Sequence, residues 1–326
     1  MTVHRRPLTR TCAAALLAVS TVALTPLEPG RISKSYLGWV SNSRDGTVSV
    51  IDLDTYAVVA TYDVGRKPLG IKAVGASRAV VAVQGQNQIV VVEAANGVVE
   101  THDVGRGPQD VAIPSTADLI YVSLSREDTI QAVTKEGSGT KVKVGRRPGS
   151  IAYSDDDKWF VSVSKGDGTV DIFRAGDLPS GRQPRMTVAV GTKPTAVGFH
   201  FGNKEVAVAS PTDGIVTTVL LENGTVESTV AVPGGPWAVA YSPVHGVAVT
   251  RTRANAVRLF SFEVVVFDVA VGRKPRGLAY TPDGKRILVA NSRSATVSVI
   301  EVATGTVVAT VGVGRVPVAV AVSEGT

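Results

Sequence analysis

The chain has 326 residues, of which 44% are apolar and only 5% aromatic, and it carries a formal net charge of +6. A single cysteine excludes an internal disulfide framework and a Cys-based metal site. The 33 glycines, 17 prolines and many valines suit short strands joined by tight turns.

Residues 1–30 read as a signal peptide and a short linker. Arg5, Arg6 and Arg10 precede an apolar run from Cys12 to Leu24, and Thr21 and Ala23 offer a small-residue cleavage site, with Ala18 and Ser20 as a second. This run is too short to span a bilayer, so no transmembrane span is expected. Cutting after Ala23 removes three bases and no acid, which leaves the mature chain at +3 and without a thiol. The expected product is exported (periplasmic, cell-surface or secreted) and stabilised by its fold rather than by disulfides.

From residue 31 to 326 one pattern repeats. Val64-Gly65-Arg66-Lys67-Pro68 returns as Val104-Gly105-Arg106-Gly107-Pro108, Val144-Gly145-Arg146-Arg147-Pro148, Val190-Gly191-Thr192-Lys193-Pro194, Val232-Pro233-Gly234-Gly235-Pro236, Val271-Gly272-Arg273-Lys274-Pro275 and Val313-Gly314-Arg315-Val316-Pro317. The seven prolines lie 40, 40, 46, 42, 39 and 42 residues apart, a period that marks a toroidal or solenoidal array. Between motifs, as from Gly277 to Val313, four runs of period-two alternation alternate with turns such as Pro282-Asp283-Gly284-Lys285, which predicts a four-stranded antiparallel meander. Residues 150–190 carry a Pro/Gly-rich insertion, Gly176 to Pro184, and residues 237–271 form a short repeat.

The two ends predict closure. Three strands precede the first motif (Tyr36 to Ser41, Thr47 to Asp52, Ala57 to Asp63) and one follows the last (Val318 to Val322). Together they make a seventh blade from both termini, which hides the edges an open ring would expose. The expected fold is all-β: a single-domain, monomeric seven-bladed β-propeller of four-stranded antiparallel blades.

Asn42-Ser43-Arg44-Asp45-Gly46-Thr47-Val48-Ser49-Val50-Ile51-Asp52, Thr61-Tyr62-Asp63-Val64-Gly65-Arg66-Lys67-Pro68, Thr281 to Arg286 and Val289 to Ser292 resemble the YVTN-type β-propeller repeat of exported and surface-layer proteins. The resemblance covers residues 36 to 326 and implies a binding or surface scaffold. Similar propellers also occur in lactonases and in denitrification enzymes whose haem or copper sits elsewhere in the chain. Val232-Pro233-Gly234-Gly235-Pro236 departs from the pattern by lacking a base.

Propeller topology puts the motif loops and the hairpins between second and third strands on one face. In the motif, Gly permits the turn and Pro presets the following inner strand. Geometry alone would accept Ser, Asn or Gly at the two middle positions, yet these hold nine bases: Arg66, Lys67, Arg106, Arg146, Arg147, Lys193, Arg273, Lys274 and Arg315. With Arg44, Arg126, Lys165, Arg253 and Arg293 from the hairpins, fourteen bases face five acids. Asp63 and Asp103 bring the face to +7, so the other face, with Asp155, Asp156, Asp157, Glu205 and Glu222 among its acids, must be net negative. Such a field concentrates anions at one mouth.

The function this predicts is a non-enzymatic scaffold that engages an acidic polymer, a nucleic acid strand, an anionic membrane surface or an acidic protein. Gln109, Asp110, Trp237 and Arg276 would line the mouth, with Trp237 as a stacking platform. His102, His200 and His245 fall in three different repeats, and no nucleophile elbow, zinc-protease helix, phosphate loop or dinucleotide fingerprint is present, so no catalytic residue, cofactor or metal is assigned. The alternative is a lactonase-like hydrolase or lyase using the channel mouth, which a convergence of acids and a histidine at a channel end would favour.

Overall fold

The computed structural model describes residues 36–115, 118–200, 202–242, 246–261 and 264–324; the expected signal peptide and His245 lie outside them. The described residues belong to one compact unit, Lys34–Thr326. Seven four-stranded antiparallel sheets form it, each ordered from the innermost strand outward. Blade 1 is β28 (Pro317–Glu324), β1 (Tyr36–Asn42), β2 (Thr47–Asp52) and β3 (Ala57–Asp63), and so joins both ends of the chain as expected. Blade 2 is β4 (Pro68–Val74), β5 (Arg78–Val83), β6 (Gln88–Glu93) and β7 (Gly97–Asp103). Blade 3 is β8 (Pro108–Ala112), β9 (Ile120–Leu124), β10 (Thr129–Thr134) and β11 (Gly137–Lys143).

Blade 4 contains β12 (Pro148–Tyr153), β13 (Trp159–Ser164), β14 (Thr169–Arg174) and β15 (Met186–Ala189). Its insertion opens with a one-turn 3-10 helix at Ala175–Asp177, and Leu178 just beyond it packs among Tyr121, Phe160 and Phe173. Blade 5 is β16 (Ala196–Phe199), β17 (Glu205–Ser210), β18 (Ile215–Leu220) and β19 (Val226–Ala231). Blade 6 is β20 (Pro236–Ser242), β21 (Gly246–Arg251), β22 (Ala256–Ser261) and β23 (Val264–Ala270), and blade 7 is β24 (Pro275–Tyr280), β25 (Arg286–Asn291), β26 (Thr296–Glu301) and β27 (Thr306–Gly312).

Second and third strands are buried on both sides, which is why runs such as Ala79 to Val83 are continuously apolar rather than alternating. The core is divided among the seven junctions between blades. Trp39 and Val50 of blade 1 pack on Ile71 and Val81 of blade 2, and Leu288 and Val297 of blade 7 pack on Ile51 and Val320 of blade 1. Each fully buried side chain of this size contributes about 1.5–3 kcal/mol. The closing blade is further pinned by the Trp39 indole, which donates to Ser323 Oγ at 3.0 Å across 284 residues.

A bulge recurs just after the motif proline. The pairing of first with second strand shifts between Pro68 and Ile71, Pro108 and Val111, Pro148 and Ile151, Pro236 and Val239, and Pro275 and Leu278. One extra residue enters the inner strand at each place and re-aims the side chains there. Gln109, Asp110, Trp237 and Arg276 all occupy such bulges. Among the described residues no helix is long and apolar enough to cross a membrane.

Candidate functional site

Hydrogen bonds lock the motif loops to the hairpins, as the shared face requires. The carbonyls of Arg66 and Lys67 accept from Gly85 and Gln84 N–H at 2.9 and 3.1 Å, and those of Arg146 and Arg147 accept from Gly166 and Lys165 at 2.8 and 3.2 Å. The same pair recurs at Arg273 and Lys274 with Arg293 and Ser292.

The two middle positions are not equivalent, which corrects the expectation that either would take Ser, Asn or Gly on geometry alone. The fourth motif residue is left-handed in every loop: Lys67 (φ 62°), Gly107 (76°), Arg147 (55°), Lys193 (53°), Gly235 (71°), Lys274 (55°) and Val316 (57°). Only glycine adopts this region without strain, and another residue costs roughly 1–2 kcal/mol there. Four cations therefore stand where backbone geometry alone would favour glycine.

The third position is tied down. Its N–H reaches the facing hairpin side chain: Arg106 donates to Glu127 at 2.7 Å, Arg146 to Asp167 at 2.5 Å and Arg315 to Asp45 at 2.6 Å. The guanidinium follows, with Arg146 Nε 2.6 Å from Asp167, Arg315 Nε 2.5 Å from Asp45 and Arg106 Nε 3.7 Å from Glu127. These backbone donors, more than the charges, hold Asp167, Asp45 and Glu127 below the usual carboxylate range. Three of the nine expected bases are thus neutralised within the face. Among the described residues, Arg66, Lys67, Arg147, Lys193, Arg273 and Lys274 make no ion pair.

Three of those six share one concavity. A space of about 940 Å³ opens at the mouth beside blades 4 to 7, lined by Arg147, Lys165, Lys193, Arg253, Lys274 and Trp237, with Thr192 and Thr212 hydroxyls at its wall. Its one acid is Asp167, already engaged by Arg146. The gap in the basic series at Gly235 also lies in this wall, so the missing base leaves room rather than a break. A second space of about 740 Å³ beside blades 1 and 2 mixes Arg44, Arg66 and Lys67 with Asp45 and Asp63.

The larger site is electrostatically uncompensated. Lys165 lies against Gly149, where a Cβ would come within 2.8 Å of its Cε, so that glycine makes room for the lysine. Burial, reinforced by Arg147 and Arg276 and opposed by Asp110, holds the Lys165 ammonium below the ordinary lysine range. Lys274 is lowered by burial and then by Arg276 and Arg293. The Arg276 guanidinium carbon sits 4.9 Å from the Trp237 ring centroid, and its buried Nε has no hydrogen-bond partner among the described residues. Lys165 and Arg253 enter the sequence reading only as part of the face charge; their hairpin positions were the available signal, but only the fold shows that they turn inward.

Asp110 is placed as a brace. Its carboxylate accepts from Val111 N–H at 3.0 Å, from Ser150 Oγ at 3.1 Å and from Ile151 N–H at 3.2 Å, and it packs over Gly70, where a Cβ would collide with it. Asp110 keeps some exposed surface, yet the surrounding protein desolvates the carboxylate and raises it, against the Lys72 ammonium and these donors.

Acids and a histidine converge at the opposite end, between blades 5 and 6. Burial, then a hydrogen bond with Glu227, pushes Glu205 up to about 7. His200 Nδ1 is 3.5 Å from Glu205 Oε1, and the His200 ring meets Tyr241 edge-on at 4.7 Å. Among the described residues no group of three or more His, Cys, Asp or Glu could hold a metal ion.

No family model matches the chain. No curated protein matches it either. Solved structures do, at the level of the fold. A functionally unknown protein from Desulfotomaculum acetoxidans is 15% identical, with a TM-score of 0.78 over 89% of this chain and 99% of that one. Hydrazine synthase of Kuenenia stuttgartiensis is 18% identical, with a TM-score of 0.70 over 78% and 89%. The dihydro-heme d1 dehydrogenase NirN, in complex with DHE, is 12% identical, with a TM-score of 0.65 over 87% and 74%. The chain is a seven-bladed β-propeller whose neighbours include enzymes and a protein of unknown function.

Proposed function

We propose that this propeller is an exported, non-enzymatic binding scaffold that engages an anionic partner through the face of its motif loops. One observation carries the proposal: five cationic side chains converge on a single concavity whose only acid is already paired. Like charges desolvated together are unfavourable alone and are relieved when an anion enters. Left-handed Lys67, Arg147, Lys193 and Lys274 support it, because backbone strain is retained at positions that bear charge.

The test is binding of long-chain polyphosphate, a single-stranded oligonucleotide and phosphatidylglycerol vesicles at two salt concentrations, with the Lys193→Glu/Lys274→Glu variant beside the parent. Affinity should fall with salt and again with charge reversal. Binding insensitive to both would refute the proposal. The convergence of Glu205, Glu227 and His200 favours a second reading, a lactonase-like hydrolase or lyase, although it lies away from the basic mouth. Lactone or ester turnover lost on Glu205→Gln would establish it.

A further inference from the structure

Free positive charge is not spread evenly around the ring. The loops entering blades 4, 5 and 7 turn Arg147, Lys193 and Lys274 into the larger concavity, and the hairpins of blades 4 and 6 add Lys165 and Arg253. Across the ring, Arg315 and Arg106 are held by Asp45 and Glu127, and the bases of the smaller concavity stand among acids. A polyanion tracking the whole face would find its densest unpaired charge on one side.

The shape of that side is specific. About 940 Å³ lies within the range of small-molecule sites, roughly 300–1,000 Å³. Five cations in such a volume call for several negative charges on a small molecule. Phosphates supply them, at about 1.5–2 charges per monoester group near neutral pH. Trp237 puts an aromatic surface into the same wall, and the Arg276 guanidinium over its ring holds it in place.

We propose that the concavity beside blades 4 to 7 is a site for a compact ring-bearing polyphosphate, a ligand of nucleoside di- or triphosphate size. Its phosphates meet Arg147, Lys193 and Lys274, and its ring lies against Trp237. This rests on the anion-binding reading of the face and adds the size and ring of the ligand.

Calorimetric titration with adenosine triphosphate, tripolyphosphate, adenosine and a twelve-residue oligothymidylate separates the two. Adenosine triphosphate should bind more tightly than tripolyphosphate by roughly tenfold, the contribution of one stacked ring. Trp237→Ala should erase that difference and Trp237→Phe should keep most of it, while Lys193→Glu/Lys274→Glu should weaken both ligands by at least tenfold. Circular dichroism and thermal melts confirm that each variant folds. Equal affinity for adenosine triphosphate and tripolyphosphate, or no effect of Trp237→Ala, overturns the inference while leaving the anion-binding face intact. So does an oligothymidylate preference that reversal of Arg66, Lys67 and Arg273 abolishes and the pocket variants do not. Absence of salt-dependent binding by every charged probe overturns both.

Discussion

Asp167 accepts hydrogen bonds from both the backbone N–H and the Nε of Arg146, at 2.5 and 2.6 Å, while the adjacent Arg147 gives its backbone N–H to Asp128 and lines the concavity with a guanidinium that makes no ion pair among the described residues. Two neighbouring arginines of one motif thus have opposite roles, one closing the loop and the other facing the ligand space. Asp167→Asn should keep the backbone acceptor and release the Arg146 charge. Affinity for tripolyphosphate should rise several-fold in low salt and return to the parent value in high salt, since the effect is a screened field. The stability cost should stay below about 1 kcal/mol, as for exposed pairs generally. Weaker binding in low salt would contradict this assignment of roles.

The left-handed fourth position gives a stability test that runs against function. Val316 (φ 57°) is β-branched and lines the smaller concavity, and Lys274 (φ 55°) lines the larger. Val316→Gly should stabilise the fold by about 1 kcal/mol and leave tripolyphosphate binding unchanged; Lys274→Gly should stabilise by up to about 1 kcal/mol and weaken it. Urea denaturation beside calorimetry reads both. Loss of stability in both variants would show that the loops do not carry the strain their φ values imply.

The propeller was legible because its signals are local. Gly and Pro at a fixed spacing set the loops, short β-type runs between turns set the strands although the inner ones are continuously apolar rather than alternating, and the three-plus-one count of terminal strands set the closure seen between β1 and β28. The nine bases were legible as a set. What they do individually was not, because the sign of φ at Lys67 or Arg147 depends on the hairpin that clasps each loop from the neighbouring blade. Glu205 enters the sequence reading only among the acids of the opposite face, and Glu227 not at all; Glu227 occupies the shift between the pairs Thr218↔Ser228 and Val219↔Val226, and a bulge of that kind has no residue signature in the strand.

That acidic pair makes stability depend on pH. The folded pKa of Glu205 is raised from 4.5 to about 7, so the folded state keeps a proton that the unfolded chain releases between those values. Its contribution is fully present below pH 4.5 and is lost as pH rises through about 7. Fully expressed, the shift would amount to about 3 kcal/mol; with the pair partly exposed, a loss of about 1–2 kcal/mol from pH 5 to pH 8 is expected. Glu227→Gln should flatten the dependence and stabilise the protein at pH 8. An unchanged slope in urea denaturation would show that the two carboxyls do not share a proton.

Lys165 supplies the matching test at the other end. Burial, Arg147 and Arg276 lower its pKa in the free protein, and Asp110 opposes them. Lys193, Arg253 and Lys274 share the lining and are cations as well; its acid, Asp167, is engaged by Arg146, which leaves Asp110 behind the wall to favour the ammonium. A bound polyanion adds negative charge beside the amine and moves its pKa back up, so binding takes up a proton wherever pH lies between the free and bound values. Affinity should therefore fall by up to tenfold per pH unit as pH rises through that window, below the ordinary lysine pKa near 10.4. The heat of binding should vary with the ionisation enthalpy of the buffer. Lys165→Arg keeps a charge that does not titrate in the window and should remove both effects while retaining affinity; Lys165→Met should remove both and lose affinity as well. Buffer-independent heat in the parent protein at every pH in the window would place the bound anion away from Lys165 and out of this concavity.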